Sequence, residues 1–167
     1  VDLPQVLYNV PGRTACDMLP ETVARCAELE QVFAIKEATG DIERTKQILE
    51  LCGDTMLVYS GDDETAVDLM LNGASGAISV TANVTPKQCA EICRLAISGD
   101  GTAAHKLNEK LMPLHLDLFL ESNPIPVKWA LAEMGKIGHG IRLPMTQLSD
   151  EYHERVRRAM RHADVIS

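Results

Sequence analysis

The feature that most constrains the fold is an alternation of short apolar runs with helical segments along the first hundred residues. Each run is a few residues long, contains β-branched or aromatic side chains, and is followed by a turn or loop, which is typical of a buried strand. The runs are residues 6–10, 31–36, 55–59 and 76–80. Strands that alternate with helices predict βαβ units and a parallel sheet covered on both faces.

Capping residues between the runs predict where the helices begin and end. Pro20 suits a first helical turn, and Asp41 suits the N-cap of a helix that Gly53 ends. Gly73 ends a helix that we expect over residues 63–72, and Pro86 opens one that runs to about residue 98. The first strand is expected to lead into a loop.

From residue 101 onward the pattern changes, because no further strand run occurs. Helices are predicted over residues 105–120, 124–134 and 149–162. The expected division is therefore four βα units over residues 1–100 and C-terminal helices over residues 101–167. Two α/β architectures fit four parallel strands: a small open doubly wound sheet, or half of an eight-stranded barrel. Periodicity alone does not decide between them.

Composition narrows the classes of function. The net charge of −8 and the pI of about 5.1 argue against a nucleic-acid-binding surface. The longest apolar runs are too short to cross a membrane, so no membrane partner is expected. The five cysteines lack zinc-ligand spacing and fall in helical apolar patterns, which predicts buried reduced thiols and no metal site.

Lys36 is the most informative candidate for chemistry, because it ends an otherwise apolar strand. Partial desolvation at that position favours the neutral amine, which can attack a ketone to form an imine. Tyr8 ends the preceding strand, so the two side chains should emerge at the same rim of a parallel sheet, where active sites are built. A phenol there can relay protons. Taken singly, each residue also fits an ordinary position at the surface.

Other polar or flexible positions follow the strands. Arg13 lies in the expected loop after the first strand and can hold a carboxylate with its guanidinium fork. Gly61 and residues 76–80 supply backbone that a small ligand can approach closely. Asp62 and Asp63 form an acidic pair, but without a third ligand they suit an N-cap better than a metal site.

Five sequence blocks together resemble the dihydrodipicolinate synthase family. They occur in the family's order and spacing, and are YNVPGRT at 8–14, IKEA at 35–38, SGDD at 60–63, GASGAISV at 73–80 and NPIPVK at 123–128. The wider N-acetylneuraminate lyase superfamily shares the tyrosine block and the lysine strand. Arg13 and the 123–128 block are similar to the synthase branch.

The resemblance implies a (β/α)8 (TIM) barrel lyase in which Lys36 forms a Schiff base with pyruvate. The derived enamine would attack L-aspartate 4-semialdehyde, giving 4-hydroxy-tetrahydrodipicolinate for lysine (diaminopimelate) biosynthesis. It also implies that Tyr8 relays protons, that Arg13 holds the semialdehyde carboxylate, and that Gly61, Asp62 and the Ile78 carbonyl line the pocket. No metal or organic cofactor is implied. A cytoplasmic homotetramer is the family expectation.

The chain departs from the family's pattern in length. It resembles only the C-terminal half, barrel strands 5–8 plus a C-terminal helical extension, since a full barrel takes about 250 residues. Groups that would complete the proton relay and hold the pyruvate carboxylate are missing from it. Two alternatives therefore stay open: another pyruvate-dependent aldolase or dehydratase of the superfamily, and an inactive half-barrel.

Overall fold

A four-stranded parallel sheet organises the first part of the chain in the computed structural model, which describes residues 2–167. Its strands are hydrogen-bonded in chain order, from β1 through β2 and β3 to β4. Their bounds are β1 Gln5–Asn9, β2 Val32–Glu37, β3 Leu57–Ser60 and β4 Gly76–Ala77. Because every neighbouring pair is parallel, all four carboxyl ends lie at one edge of the sheet.

Helices connect the strands and make up the rest of the described chain. Their bounds are α1 Pro11–Thr14, α2 Pro20–Ala27, α3 Ile42–Cys52, α4 Ala66–Leu71, a short 3-10 helix Thr81–Asn83, α5 Pro86–Ile97, α6 Gly101–Asp117, α7 Ile125–Glu133 and α8 Asp150–His162. The predicted caps are confirmed for α3, where the Asp41 carboxylate accepts a hydrogen bond of 3.1 Å from the Arg44 amide. Parallel strands joined by helices establish an α/β fold.

One face of the sheet packs into an apolar core. Leu7, Ile35 and Val58 are register partners on β1, β2 and β3, so they share this face. Ile35 and Val58 are fully buried against residues of α2 and α3, including Val23 and Ile48. This packing fixes which side chains must point the other way, because strand residues alternate between the two faces.

The opposite face is open, which corrects the expectation of a sheet covered on both sides. Val6 is 46% exposed, Tyr8 48% and Leu57 44%. All three alternate in sequence with residues that contact the core, so they point away from α2 and α3. Within residues 2–167 this face therefore carries apolar side chains that are in contact with water.

Several local expectations were wrong in detail. The segment after β1 forms the one-turn helix α1 instead of a loop, with Pro11 in its first turn. Residues 63–65 form a turn, so α4 begins only at Ala66, and β4 ends at Ala77 instead of residue 80. Cys16 is exposed and lies outside any helix, whereas Cys52 is buried and the other three cysteines are partly buried.

The chain divides into two compact units. One contains the described chain up to Ser79 together with Cys93–Ala104, and the other contains Val80–Ile92 and His105–Ser167. The sheet and its covering helices α2 and α3 belong to the first unit. The sequence suggested a different kind of division, into βα units before residue 100 and helices after it, and that division stays a prediction.

Candidate functional site

Tyr8, Lys36 and Tyr59 form a row across three strands near the carboxyl edge of the sheet. They are register partners on β1, β2 and β3 and therefore share the open face. The Lys36 Nζ lies 4.4 Å from the centroid of the Tyr8 ring, which is a cation–π contact. The structure thus brings together the two residues that the sequence singled out as an amine and a phenol.

Gly61 lies directly beside the Lys36 side chain. A Cβ placed on Gly61 would lie 2.8 Å from Lys36 Cε and 2.6 Å from Ala38 Cβ, distances that real Cβ atoms essentially never show. The lysine stem therefore runs directly along the glycine at the end of β3. Any side chain at position 61 would displace either the lysine or the backbone after β2.

Two buried polar residues lie immediately after the amine and the phenol in sequence. Asn9 is 2% exposed and Glu37 is fully buried, and the Asn9 amide donates a hydrogen bond of 3.0 Å to Glu37 Oε2. The Thr39 amide donates to the other Glu37 oxygen at 2.8 Å. Backbone hydrogen bonds from Ala38 to Asn9 and from Gly61 to Glu37 continue the row across three strand ends. Asn9 and Glu37 belong to the YNVPGRT and IKEA blocks, but the sequence predicted no role for either.

Asp62 is held by the turn that precedes α4. Its Oδ2 accepts hydrogen bonds from the Thr65 amide at 3.1 Å and the Thr65 hydroxyl at 2.8 Å. Its backbone is tied to the Ser60 hydroxyl in both directions. Asp62 therefore stabilises the turn over residues 63–65, whereas the N-cap of α4 is Thr65, so the N-cap role expected for one of the acidic pair is wrong. The described residues contain no group of three or more His, Cys, Asp or Glu side chains that could hold a metal.

Arg13 and Ile78 lie beyond the ends of β1 and β4, on the same edge of the sheet. Arg13 is exposed on the last turn of α1, and the structure records no ion pair for its guanidinium within residues 2–167. The Ile78 amide donates a 2.8 Å hydrogen bond to the Ser60 carbonyl, which extends the β3–β4 pairing by one residue. Neither residue contacts Lys36 through a recorded hydrogen bond.

Two thiols of this unit have pKa values above the ordinary thiol value. Burial raises the pKa of Cys52. Burial also raises the pKa of Cys93, and the charge of Asp63 adds to that increase while hydrogen bonding to the Ala77 backbone opposes it. Both thiols are therefore kept protonated and poorly nucleophilic at neutral pH. No helix among the described residues is long and apolar enough to span a membrane.

These observations define a class: an α/β protein with a parallel sheet that presents a lysine beside a tyrosine at its carboxyl edge, where such folds place their sites. The sequence profile of the Dihydrodipicolinate synthetase family matches residues 1–163. The chain belongs to that family.

Relatives with established names agree with this membership. The chain is 59% identical over its full length to 4-hydroxy-tetrahydrodipicolinate synthase of Pseudomonas aeruginosa, and 57% identical over 99% of its length to the protein of that name from Nitrosococcus oceani. It spans 57% of the length of each of these relatives.

Solved structures show the same similarity in three dimensions. The dihydrodipicolinate synthase of Acinetobacter baumannii, solved in complex with pyruvate, superposes with a TM-score of 0.97 at 54% identity. The Thermotoga maritima enzyme superposes with a TM-score of 0.95 at 40% identity. Each comparison covers 99% of this chain, but only 57% and 58% of the respective solved chain.

Proposed function

We propose that this chain supplies the Schiff-base half of a lyase that condenses pyruvate with L-aspartate 4-semialdehyde to 4-hydroxy-tetrahydrodipicolinate. The observation that carries the proposal is the contact of Lys36 Nζ with the Tyr8 ring, in a chain of the synthase family. The activity belongs to the whole enzyme, since the chain spans 57% of its relatives' length. Its place would be lysine (diaminopimelate) biosynthesis in the cytoplasm.

The chemistry assigned to Lys36 is covalent. Its neutral amine adds to the keto carbon of pyruvate, and loss of water leaves an imine. Protonation of the imine nitrogen makes it an electron sink, so the methyl carbon loses a proton and an enamine forms. The enamine carbon then bonds to the aldehyde carbon of the semialdehyde. Attack by the amino group of the semialdehyde on the imine carbon closes the ring and releases Lys36. The imine is itself the electron sink, so no metal or organic cofactor is required.

The other site residues receive roles from their positions. The Tyr8 hydroxyl, on the ring that Lys36 contacts, would relay protons during imine formation and release. Arg13, whose guanidinium is exposed beyond β1, would hold the semialdehyde carboxylate. Gly61, Asp62 and the Ile78 carbonyl would line the pocket beside the lysine.

The proposed architecture is the C-terminal half of a (β/α)8 barrel, strands 5–8, followed by a helical extension. Three observations support it. The open face carries the apolar side chains of Val6 and Leu57, as the interior of a barrel does. The outer strands β1 and β4 each have an unpaired edge that further strands could join. The relatives have additional chain to supply those strands. Assembly into a homotetramer of the complete enzyme is part of the same proposal.

Borohydride trapping tests the central claim. The chain is joined to the remainder of the Pseudomonas aeruginosa relative, incubated with pyruvate and reduced, and the modified residue is located by mass spectrometry. We expect the adduct on Lys36, none in Lys36→Arg, and full labelling in the control Lys46→Arg, which alters an exposed lysine on α3. An adduct on any other residue, or no adduct with pyruvate, would refute the proposal.

An Arg13→Ala variant distinguishes the synthase activity from that of other pyruvate-dependent aldolases or dehydratases of the superfamily. Because Arg13 would bind the semialdehyde and not pyruvate, Arg13→Ala should abolish most turnover with aspartate semialdehyde while pyruvate trapping persists. Unchanged turnover with the semialdehyde would instead indicate a different second substrate. A protein that binds no pyruvate at all would be an inactive half-barrel.

A further inference from the structure

The segment between β1 and α2 leaves the sheet and returns to it, and Arg13 lies near its midpoint. Asn9 is the last residue of β1, and α1 follows immediately at Pro11–Thr14. The chain comes back at Asp17 and Met18, just before α2. The position of Arg13 therefore depends on how the two ends of this segment, which we call the arginine loop (residues 10–16), are held together.

Asn9 joins both ends of the arginine loop. Its side-chain oxygen accepts a 3.0 Å hydrogen bond from the Met18 amide, and its side-chain nitrogen donates to Asp17 Oδ1 at 3.1 Å. The same nitrogen donates to Glu37 Oε2 at 3.0 Å. Asn9 is 2% exposed, so these hydrogen bonds are shielded from competing water. The buried Glu37 carboxylate thus orients the amide that closes the loop.

Arg44 on α3 completes the closure from outside. Its two terminal nitrogens contact both carboxylate oxygens of Asp17, at 3.0 Å and 2.5 Å, and one of them also donates to the Met18 carbonyl at 3.1 Å. The Arg44 side chain is only 12% exposed. The Asp17 side chain is 39% exposed, so the pair is buried on the arginine side only. Its bidentate geometry nevertheless restricts the two side chains more than a single-point ion pair does.

We propose that Arg44 and Asn9, acting through Asp17, form a clamp that positions the arginine loop for the carboxylate of the second substrate. Arg44 is then a positioning residue, since it touches neither Lys36 nor Tyr8 in any recorded contact. This inference rests on the proposed function, because it assigns Arg13 to the semialdehyde. A loosened clamp should weaken binding of the semialdehyde and leave the attachment of pyruvate to Lys36 nearly unchanged.

The test compares Arg44→Met with Lys46→Met in the fusion with the remainder of the Pseudomonas aeruginosa relative. Lys46 lies two residues further along α3 and forms only an exposed ion pair with Glu43, so it is a matched control. For Arg44→Met we expect the KM for the semialdehyde to rise roughly tenfold or more, with pyruvate KM and kcat within about twofold of the parent. Arg44→Lys keeps the positive charge but lacks the paired guanidinium donors, so its KM for the semialdehyde should lie between those of the parent and Arg44→Met.

A second measurement keeps the clamp testable without turnover. Amide hydrogen exchange of residues 10–18 should be faster in Arg44→Met than in Lys46→Met. The increase should be largest at the Met18 amide, which donates a hydrogen bond to the Asn9 side-chain oxygen. Unchanged exchange would overturn the clamp whether or not the enzyme is active. Faster exchange with an unchanged semialdehyde KM would overturn its link to the substrate. Failure of pyruvate trapping in the parent protein would refute the proposed function separately.

Discussion

The ammonium group of Lys36 lies 4.4 Å from the centre of the Tyr8 ring, although the two residues belong to different strands. Register pairing makes the contact possible, because Tyr8 and Lys36 are direct neighbours across β1 and β2. The ring contacts the amine through its π face, whereas the proton relay proposed for Tyr8 depends on its hydroxyl. Mutations can separate the contact from the proposed relay.

Replacing Tyr8 with Phe should slow imine formation without loosening the lysine. Phe keeps the ring under the ammonium group but lacks the hydroxyl, and loss of a general acid–base group costs about 100-fold or more in rate. Tyr8→Leu also removes the π face, so its free energy of unfolding should be about 0.5–1 kcal/mol lower than that of Tyr8→Phe. Stopped-flow imine formation and chemical denaturation measure the two effects. Equal rates for Tyr8→Phe and the parent would exclude the proton relay.

Gly61→Ala should impair the lysine although it changes no polar group. The added methyl would lie 2.6 Å from Ala38 Cβ and 2.8 Å from Lys36 Cε, so the lysine or the chain at Ala38 must move. We expect either shift to misplace the amine, and a small misplacement can reduce the rate by about 10- to 100-fold. Gly138→Ala is the matched control, because a Cβ there meets nothing within 4 Å. The measurement is the rate of borohydride-trapped adduct. A normal rate in Gly61→Ala would show that the lysine stem can be displaced without consequence.

The thiols should differ in reactivity and in their effect on alkaline stability. At pH 8 we expect iodoacetamide to label the exposed Cys16 first, and Cys52 and Cys93 late, since burial raises the pKa of the last two. A raised pKa in the folded state stabilises the fold below the ordinary thiol value of 9.0, and this stabilisation is lost as the pH rises above it.

Substitution of the buried thiol checks the sign of this effect. In Cys52→Ala the fall in the free energy of unfolding between pH 8 and pH 10, roughly, should be shallower than in the parent. The control Cys16→Ala should follow the parent curve, because its thiol is exposed. A steeper alkaline loss in Cys52→Ala would contradict the assigned direction of the pKa shift.

A buried histidine network should contribute to stability in the second compact unit. The His115 ring is 3% exposed, with Nδ1 at 2.8 Å from the Thr81 hydroxyl and Nε2 at 3.1 Å from Asn108 Oδ1. Thr81→Val removes the hydroxyl at nearly constant volume, and should lower the free energy of unfolding by about 1–3 kcal/mol. Thr102→Val, at an exposed position of α6, should change it by about 0.5 kcal/mol or less. Equal effects in urea denaturation would show that the network adds nothing.

Most of the secondary structure and part of the candidate site were predictable from sequence. The apolar runs, the N-cap Asp41 and the first-turn proline Pro20 act locally, so the order of strands and helices followed from them. The placement of Lys36 and Tyr8 at one rim also followed, because consecutive parallel strands end at the same edge. The short helix after β1 and the early end of β4 were not predictable, since a single turn or a two-residue strand depends on tertiary contacts.

The sequence by itself determined which residues are proposed to carry the chemistry: an amine and a phenol at the ends of neighbouring strands, and an arginine shortly after the first of them. Only the tertiary structure decided how those residues are held. Asn9 is hydrogen-bonded to Glu37, 28 residues further along the chain, and Arg44 on α3 contacts Asp17, 27 residues before it. No periodic pattern encodes such pairings, because periodicity reports the face of an element and not the partner that a polar side chain meets.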